Sequence, residues 1–327
     1  GTYSVKDADT TPDAGENEEY TILFTSTDGT YNNITVYTGN VIIAPKAVAV
    51  TGITVNDKQY DGNNTATVNY TGEGVSVSGT IGGDVVTVTS ATGTFADANV
   101  GTDKALTVEI ELSNSNYVVE DLKLMADITA KELTADVTNV DVSKVYDGTT
   151  APGTVTGSAS VTGTVGSEAV TVNVTAGNYT AKDVKSDYTV ELTLELTGDA
   201  AKNYVLSSTT ATISDAAITA CSDFADATNK TQNVVVGVGT FTAPSFTGVT
   251  VNGTPEAVDG EVTYSYSNGE TSITKGSYDD IVTALKALKK DASAEINYKF
   301  TASGNYTGEI TGTISVTMVD ILFTVDG

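Results

Sequence analysis

Histidine, tryptophan and arginine are all absent from this chain: its 16 basic residues are lysine, and cysteine occurs once. Each gap removes a class of chemistry. Without histidine there is no Ser-His-Asp or Cys-His pairing, no His-ligated metal, and no side chain that titrates near neutrality without help. A single cysteine excludes an intramolecular disulfide and a cysteine-cluster metal site. Missing arginine removes the planar fork that grips phosphates and carboxylates in pairs. The 42 acidic residues leave a formal charge of −26, which repels a nucleic-acid backbone and an anionic membrane face. Carboxylate chemistry, calcium, stacking on the 16 tyrosines, and mechanical or adhesive roles remain.

What is present reads as a folding, β-rich chain. Hydrophobic residues make up 39% and charged residues only 18%, a balance that supports packed cores rather than acidic disorder. A length of 327 residues leaves room for about three modules of immunoglobulin size. No apolar run approaches the roughly 20 residues of a helical membrane span. The chain opens on Gly1 rather than Met, as expected of a piece cut from a longer protein.

Self-comparison settles the organisation. The run Lys58-Gln59-Tyr60-Asp61-Gly62 returns as Lys144-Val145-Tyr146-Asp147-Gly148, and later landmarks follow in order. Gly83-Asp84-Val85 corresponds to Ser167-Glu168-Ala169, Gly93-Thr94-Phe95 to Gly177-Asn178-Tyr179, and Asn116-Tyr117-Val118 to Asn203-Tyr204-Val205. Two homologous modules are expected at 48–131 and 132–219. A weaker repeat links the ends, where Tyr298-Lys299-Phe300-Thr301 and Ile314-Ser315-Val316 answer Thr21-Ile22-Leu23-Phe24-Thr25 and Val41-Ile42-Ile43. Residues 1–47 are therefore read as the last strands of a partial Ig-like module, and 220–327 as a complete one. Such a fragment would have a sheet edge in need of a partner.

Period-two alternation in Leu106–Leu112 and Tyr188–Leu196 predicts half-buried strands, with turn residues every 8–12 positions. The fold class is all-β, in tandem Ig-like or β-sandwich modules. One short helix is predicted over Ser277–Lys290 in the last module, opened by a capping box at Ser277 and Asp280 and carrying Ile281, Val282, Leu285 and Leu288 on one face.

The Tyr60-Asp61-Gly62 and Tyr146-Asp147-Gly148 motifs predict tight hairpin turns, since glycine accepts positive φ and aspartate bonds its own downstream backbone. The alternative makes Tyr60 and Tyr146 ligand-stacking platforms. With their flanking Lys-x and Asn/Thr-x-Thr residues, the Gly-Asp-Val-Val-Thr-Val strand and the Asn-Tyr-Val strand, these modules resemble the YDG-type repeat of large bacterial surface proteins. The last segment, with Val262-Thr263-Tyr264-Ser265-Tyr266, the helix and Gly304-Asn305-Tyr306, resembles bacterial Ig-like modules. The resemblance implies an exported, cell-surface or adhesin-like protein in which such modules act as spacers, and it supplies no catalytic residues. Surface domains of this sort can carry Lys–Asn isopeptide staples, and Lys58 and Lys144 are the lysines placed alike in both copies.

The acidic opening, Asp7, Asp9, Asp13, Glu16, Glu18 and Glu19, departs from EF-hand spacing and reads as a solvated loop, with calcium as its functional alternative. Glu109/Glu111 and Glu191/Glu195 fall on the solvent face of their strands rather than in a cleft fit for glycoside hydrolysis. The expected function is a non-enzymatic structural or adhesive spacer, secreted or displayed at the cell surface. It is expected to need no cofactor, to form a monomeric elongated rod, and to contact neither nucleic acid nor membrane. The rival is a carbohydrate- or mucin-binding module that meets host glycan or a surface protein through exposed tyrosines, with Tyr264, Tyr266 and Tyr306 as candidates.

Overall fold

The computed structural model describes residues 1–5, 13–29, 32 and 34–321. Apart from one nine-residue helix and a single turn of 3-10 helix, the regular structure is strand throughout. The alternation in sequence becomes alternation in burial. Along Lys185–Thr197 the side chains of Tyr188, Val190, Leu192 and Leu194 are buried while Thr189, Glu191, Thr193 and Glu195 face solvent. Along Gly101–Leu112, Leu106 and Val108 are buried, with Glu109 and Glu111 exposed. Fully burying a leucine or valine contributes about 1.5–3 kcal/mol, so each such strand is held by a few inward residues.

The described chain packs as two compact units. One comprises Gly1–Leu133 with Gly163–Val170 and Gly198–Val205; the other comprises Thr134–Thr162, Thr171–Thr197 and the residues from Leu206 onward. The division cuts through the second sequence repeat. Two of its loop segments pack with the first repeat rather than with their own sheet.

Three five-stranded sheets share one topological core. In the first, Lys58–Gln59 runs parallel to Leu122–Thr129, which is antiparallel to Gly101–Leu112, itself antiparallel to Val88–Phe95. In the second, the same four places are taken by Val140–Val145, Thr210–Thr219, Lys185–Thr197 and Thr171–Ala176. In the third they are Thr231–Val235, Glu309–Val319, Ser293–Ala302 and Gly260–Ser267. The register agrees as well: just past the entry strand, Tyr60 N donates to Thr129 O (2.8 Å), Tyr146 N to Thr219 O (2.8 Å) and Val236 N to Val319 O (3.0 Å). The last module is thus a third instance of the topology seen in both sequence repeats. Shorter strands form accompanying sheets, for example Ala49–Thr51 against Ser76–Ser78, and Phe246–Val251 between Ala225–Asp226 and Thr254–Ala257. The described strands before Ala44, Thr2–Val5, Gly15–Thr25 and Ile34–Ile43, form a three-stranded antiparallel sheet, while Lys46–Ala47 pairs in parallel with Tyr117–Val118 of the first repeat.

The helix spans Tyr278–Lys286 and is shorter than the sequence suggests. Its start follows the capping box: Ser277 N donates to Asp280 Oδ2 (2.7 Å) and Asp280 N to Ser277 Oγ (3.3 Å). Its end comes early because Lys289–Ala292 closes a turn, with Ala292 N donating to Lys289 O and Asp291 at φ 60°, that feeds strand Ser293–Ala302. Ile281, Val282 and Leu285 are buried, and the Tyr278 hydroxyl donates to Phe241 O (2.5 Å). Losing a side-chain cap costs about 1 kcal/mol. Ser277→Ala is accordingly expected to lower the stability of the helix-bearing module by about that amount in urea titrations; an unchanged midpoint would show that packing alone holds the helix.

Candidate functional site

The Tyr-Asp-Gly motifs are the natural place to look for a site, and neither is a two-residue hairpin turn: the second lies in a longer connection between Val140–Val145 and Thr154–Gly157, which pair antiparallel, and the first joins strands that do not pair. Lys58–Gln59 and Thr65–Ala66, on either side of the first motif, lie at opposite edges of one sheet instead of pairing with each other. Asp61 Oδ1 accepts from Asn63 N (3.0 Å), and Asp147 Oδ1 from Thr149 N (2.9 Å), with Gly62 and Gly148 at φ 81° and 74°. After the first Asx turn the chain crosses to the far edge of its sheet, and after the second it returns as the antiparallel neighbour of the strand it left.

Each aspartate is also clamped by the lysine three residues before it. Lys58 Nζ lies 2.7 Å from Asp61 and 2.9 Å from Asn63 Oδ1, while Lys144 Nζ lies 2.8 Å from Asp147 and bonds Thr149 O. Burial pushes both carboxyls up, but the lysine bond and the turn amide outweigh it and hold them below the ordinary range. Asp61 is therefore ionised beside Lys58. An isopeptide staple needs an asparagine beside the lysine, and the second copy offers Thr149 in place of Asn63.

The tyrosines that open the motifs are buried, 5% exposed for Tyr60 and 3% for Tyr146. Neither is a free stacking platform. In the first compact unit, Tyr60 Oη donates to Glu168 Oε1 (2.5 Å) and Tyr204 Oη donates to Glu168 Oε2 (2.5 Å), so one carboxylate receives two phenols. Val165 N donates back to Tyr204 Oη (2.8 Å), and the two rings meet edge to face at 5.4 Å. Alongside, the buried Asn203 accepts from Val100 N (3.0 Å) and donates to Asn99 Oδ1 (3.2 Å). Residues of the first repeat are thus joined to an acid, a tyrosine and an asparagine of the second.

The second compact unit repeats the arrangement one module later. Tyr146 Oη donates to Glu256 Oε2 (2.6 Å), its ring stands edge to face with Tyr306 at 5.5 Å, and Val249 N donates to Tyr306 Oη (3.0 Å). Asn305 accepts from Val184 N (2.8 Å) and donates to Asp183 Oδ1 (3.0 Å). The other oxygen of Glu256 takes Lys182 Nζ (2.6 Å) where Glu168 takes a second phenol. The joint is therefore a recurring device: a tyrosine and a two-residue step offering one side-chain oxygen and one backbone N–H from one module, an acid and an Asn-Tyr pair from the next.

The electrostatics suit a fixed bond. Tyr60 is pushed up to about 12, by its bond to Glu168 and then by burial. Burial, then the carboxylate bond, raises Tyr146 and Tyr204. Glu256 is lowered by Lys182 and then by Tyr146. These phenols stay protonated donors across the physiological range and the acid stays an acceptor. A hydrogen bond to a charged group contributes about 1.5–3 kcal/mol, and an edge-to-face aromatic pair roughly 0.5–1.5 kcal/mol more.

The other tyrosines named from sequence as exposed candidates are placed differently. Tyr264, Tyr266 and Tyr306 are 4, 2 and 5% exposed. Tyr264 and Tyr266 point inward from Gly260–Ser267, where Tyr264 meets Phe241 edge to face at 5.9 Å, and burial followed by the nearby Tyr278 pushes it up to about 12. Period-two reading places 264 and 266 on a common face; that the face is the inner one depends on the helix packed against the strand. Of the acidic opening, Asp7 and Asp9 lie outside the described residues, and Asp13 accepts from Asn116 Nδ2 (2.8 Å). Cys221 is buried. Glu168, Glu256 and the two-residue steps at 99–100 and 183–184 escaped the sequence reading. Their signal was the aligned acids Asp84 and Glu168 and the Asn-Tyr pairs at 116–117, 203–204 and 305–306, three of the six in the chain.

Two outcomes follow for the joints. Tyr60 has its pKa raised from 10 to about 12, so the stability it contributes is fully present below pH 10 and is lost as pH climbs toward 12. Tyr60→Phe should cost about 2 kcal/mol at neutral pH and flatten the fall in unfolding midpoint over that alkaline window; an unaltered alkaline profile would mean that the bond contributes nothing. Glu256 has its pKa lowered, so its contribution is present above about 4.5 and disappears as pH drops through the depressed folded value. Glu256→Gln should remove that acid-side loss, read from thermal melts between pH 3 and 6; a melt series that overlays the parent's would contradict it.

Comparison with known proteins agrees with the repeat structure. The YDG domain model matches residues 44–123 and again 129–212, together about half of the chain. No curated protein matches it. Among solved structures it is similar to the protocadherin gamma B2 extracellular cadherin domains 3–6, at 11% identity over 93% of this chain and 84% of that one, with a TM-score of 0.27, a likeness too slight to carry an argument. By these two matches, this chain belongs to the YDG domain family.

Proposed function

We propose that the chain is a non-enzymatic spacer segment of an exported bacterial surface protein, in which each module is fastened to the next by a tyrosine joint. The observation that carries this reading is the use made of Tyr60 and Tyr146. The motif residue best suited to ligand stacking is buried against the acid and tyrosine of the following module, so the motif serves connection. Phenols held protonated to high pH and carboxylates fully engaged in hydrogen bonds are poor general acids and nucleophiles. A formal charge of −26 with alternating polar faces suits a monomer that stays soluble and separate from its neighbours. Membership of the YDG family is compatible with display at the cell surface. The segment 220–327 takes its place in the proposal as a bacterial Ig-like module built on the same sheet order.

The glycan-binding alternative loses its named residues, because Tyr264, Tyr266 and Tyr306 are packed into the interior. A glycan array probed with the whole chain is expected to stay at background; reproducible, saturable binding to any one glycan class would replace the spacer reading with a recognition one. Display is tested on intact cells of the source organism, where an antibody against the chain should label the outside and added protease should remove the epitope. Signal released only on lysis would rule the proposal out.

A further inference from the structure

Of the three Asn-Tyr pairs placed alike in their modules, at 116–117, 203–204 and 305–306, the first belongs to a joint that lacks its tyrosine. Asn116 is engaged like the others: it accepts from Ala14 N (2.5 Å) and donates to Asp13 Oδ1 (2.8 Å), the same two-residue step that Asn203 makes to 99–100 and Asn305 to 183–184. Tyr117 behaves like Tyr204, with Ile81 N donating to its oxygen (3.0 Å) and its hydroxyl donating to Asp84 Oδ2 (2.6 Å). Among the described residues no second tyrosine reaches Asp84. Exposure follows: Ile81 and Asp84 are exposed where Val165 and Glu168, and Val249 and Glu256, are half-buried. Ile81, Gly82, Asp84 and Tyr117 line an open pocket together with Asp13 and Asn116.

The preceding segment carries a matching gap. Its strands Thr2–Val5, Gly15–Thr25 and Ile34–Ile43 pair in the order that Val88–Phe95, Gly101–Leu112 and Leu122–Thr129 follow in the first repeat. In that repeat Lys58–Gln59 adds in parallel to Leu122–Thr129 and runs straight into Tyr60. Ile34–Ile43 has no parallel partner among the described residues. Its Ile34, Val36, Tyr37 and Ile42 are 57, 50, 53 and 68% exposed, an apolar surface of the kind that a missing half-module would cover.

We propose that the pocket of Ile81, Asp84 and Tyr117 is a tyrosine-binding socket, and that its occupant is the tyrosine ending a β-strand that adds in parallel to Ile34–Ile43. The phenol would donate to Asp84 and set its ring edge-on to Tyr117, as Tyr60 does with Glu168 and Tyr204. A second copy of this chain is a poor source: Tyr60 and Tyr146 are already buried in their own joints, and Val236 stands at the corresponding place in the third sheet. The partner is therefore another repeat of the same kind, offering an entry strand followed by Tyr-Asp-Gly. The inference rests on the joint geometry alone, so it stands or falls separately from where the chain is displayed.

The test places a second copy of residues 48–87 directly before Gly1 in the full chain, supplying the entry strand and its tyrosine. Amide exchange at Ile34–Ile43 is expected to slow at least about tenfold, because those amides would then open only with the completed module. Replacing the added tyrosine by alanine, or Asp84→Ala, should reverse most of that slowing. Asp84 is exposed, so Asp84→Ala in the unextended chain serves as the folding control. Unchanged exchange would overturn the proposal. Slowing that is indifferent to both substitutions would also overturn it, as strand addition without a tyrosine socket. Self-association of the unextended chain, seen by sedimentation and abolished by Asp84→Ala, would overturn the assignment of the occupant.

Discussion

The buried phenol-to-carboxylate bond is the interaction on which the arrangement of modules depends. A carboxylate shielded from water is costly unless its oxygens are bonded. Glu168 meets that need with two tyrosine hydroxyls, and Glu256 with a tyrosine and a lysine. Because Tyr60 belongs to the repeat before Glu168, and Tyr146 and Lys182 to the repeat before Glu256, satisfying each acid joins one repeat to the next. The two-residue steps to Asn203 and Asn305 add geometry that side-chain burial alone lacks: an amide side chain that both accepts and donates selects one register.

This also explains why the second repeat is divided between two packing units. The loop segments Gly163–Val170 and Gly198–Val205 carry Glu168 and the Asn203-Tyr204 pair, the receiving half of the joint, and they cluster with the repeat that supplies Tyr60. Asp61 and Asp147 hold the Asx turns that follow the tyrosines, and Lys58 and Lys144 pair with them. The lysines that invited a covalent reading lie largely buried and each clamps an aspartate that is about half exposed.

Much of the fold was legible in the sequence. Period-two runs such as Tyr188–Leu196 became strands with the buried residues alternating as expected, and the Ser277–Asp280 capping box opened the helix where its residues said it would. The helix end was misjudged because Leu288, Lys289 and Lys290 continue the helical pattern, while the turn required to reach strand Ser293–Ala302 overrides it. The kinship of the last sheet with the two repeats was hidden for another reason. Its entry strand carries Val234-Val235-Val236 where the repeats have Lys-x-Tyr, so topology and register reveal what residue identity does not.

Local and periodic properties were settled by the amino-acid sequence itself: an all-β chain with internal repeats, an acidic surface, and an exclusion of histidine, arginine and disulfide chemistry. These depend on residue type and spacing along the chain, which sequence records directly. The tertiary structure decided what the tyrosines are for. Tyr60 and Glu168 are more than a hundred positions apart, and so are Tyr146 and Glu256; nothing in their neighbours announces the pairing. Whether a tyrosine faces ligand, solvent or a neighbouring repeat depends on what covers it, and burial is a property of the packed chain.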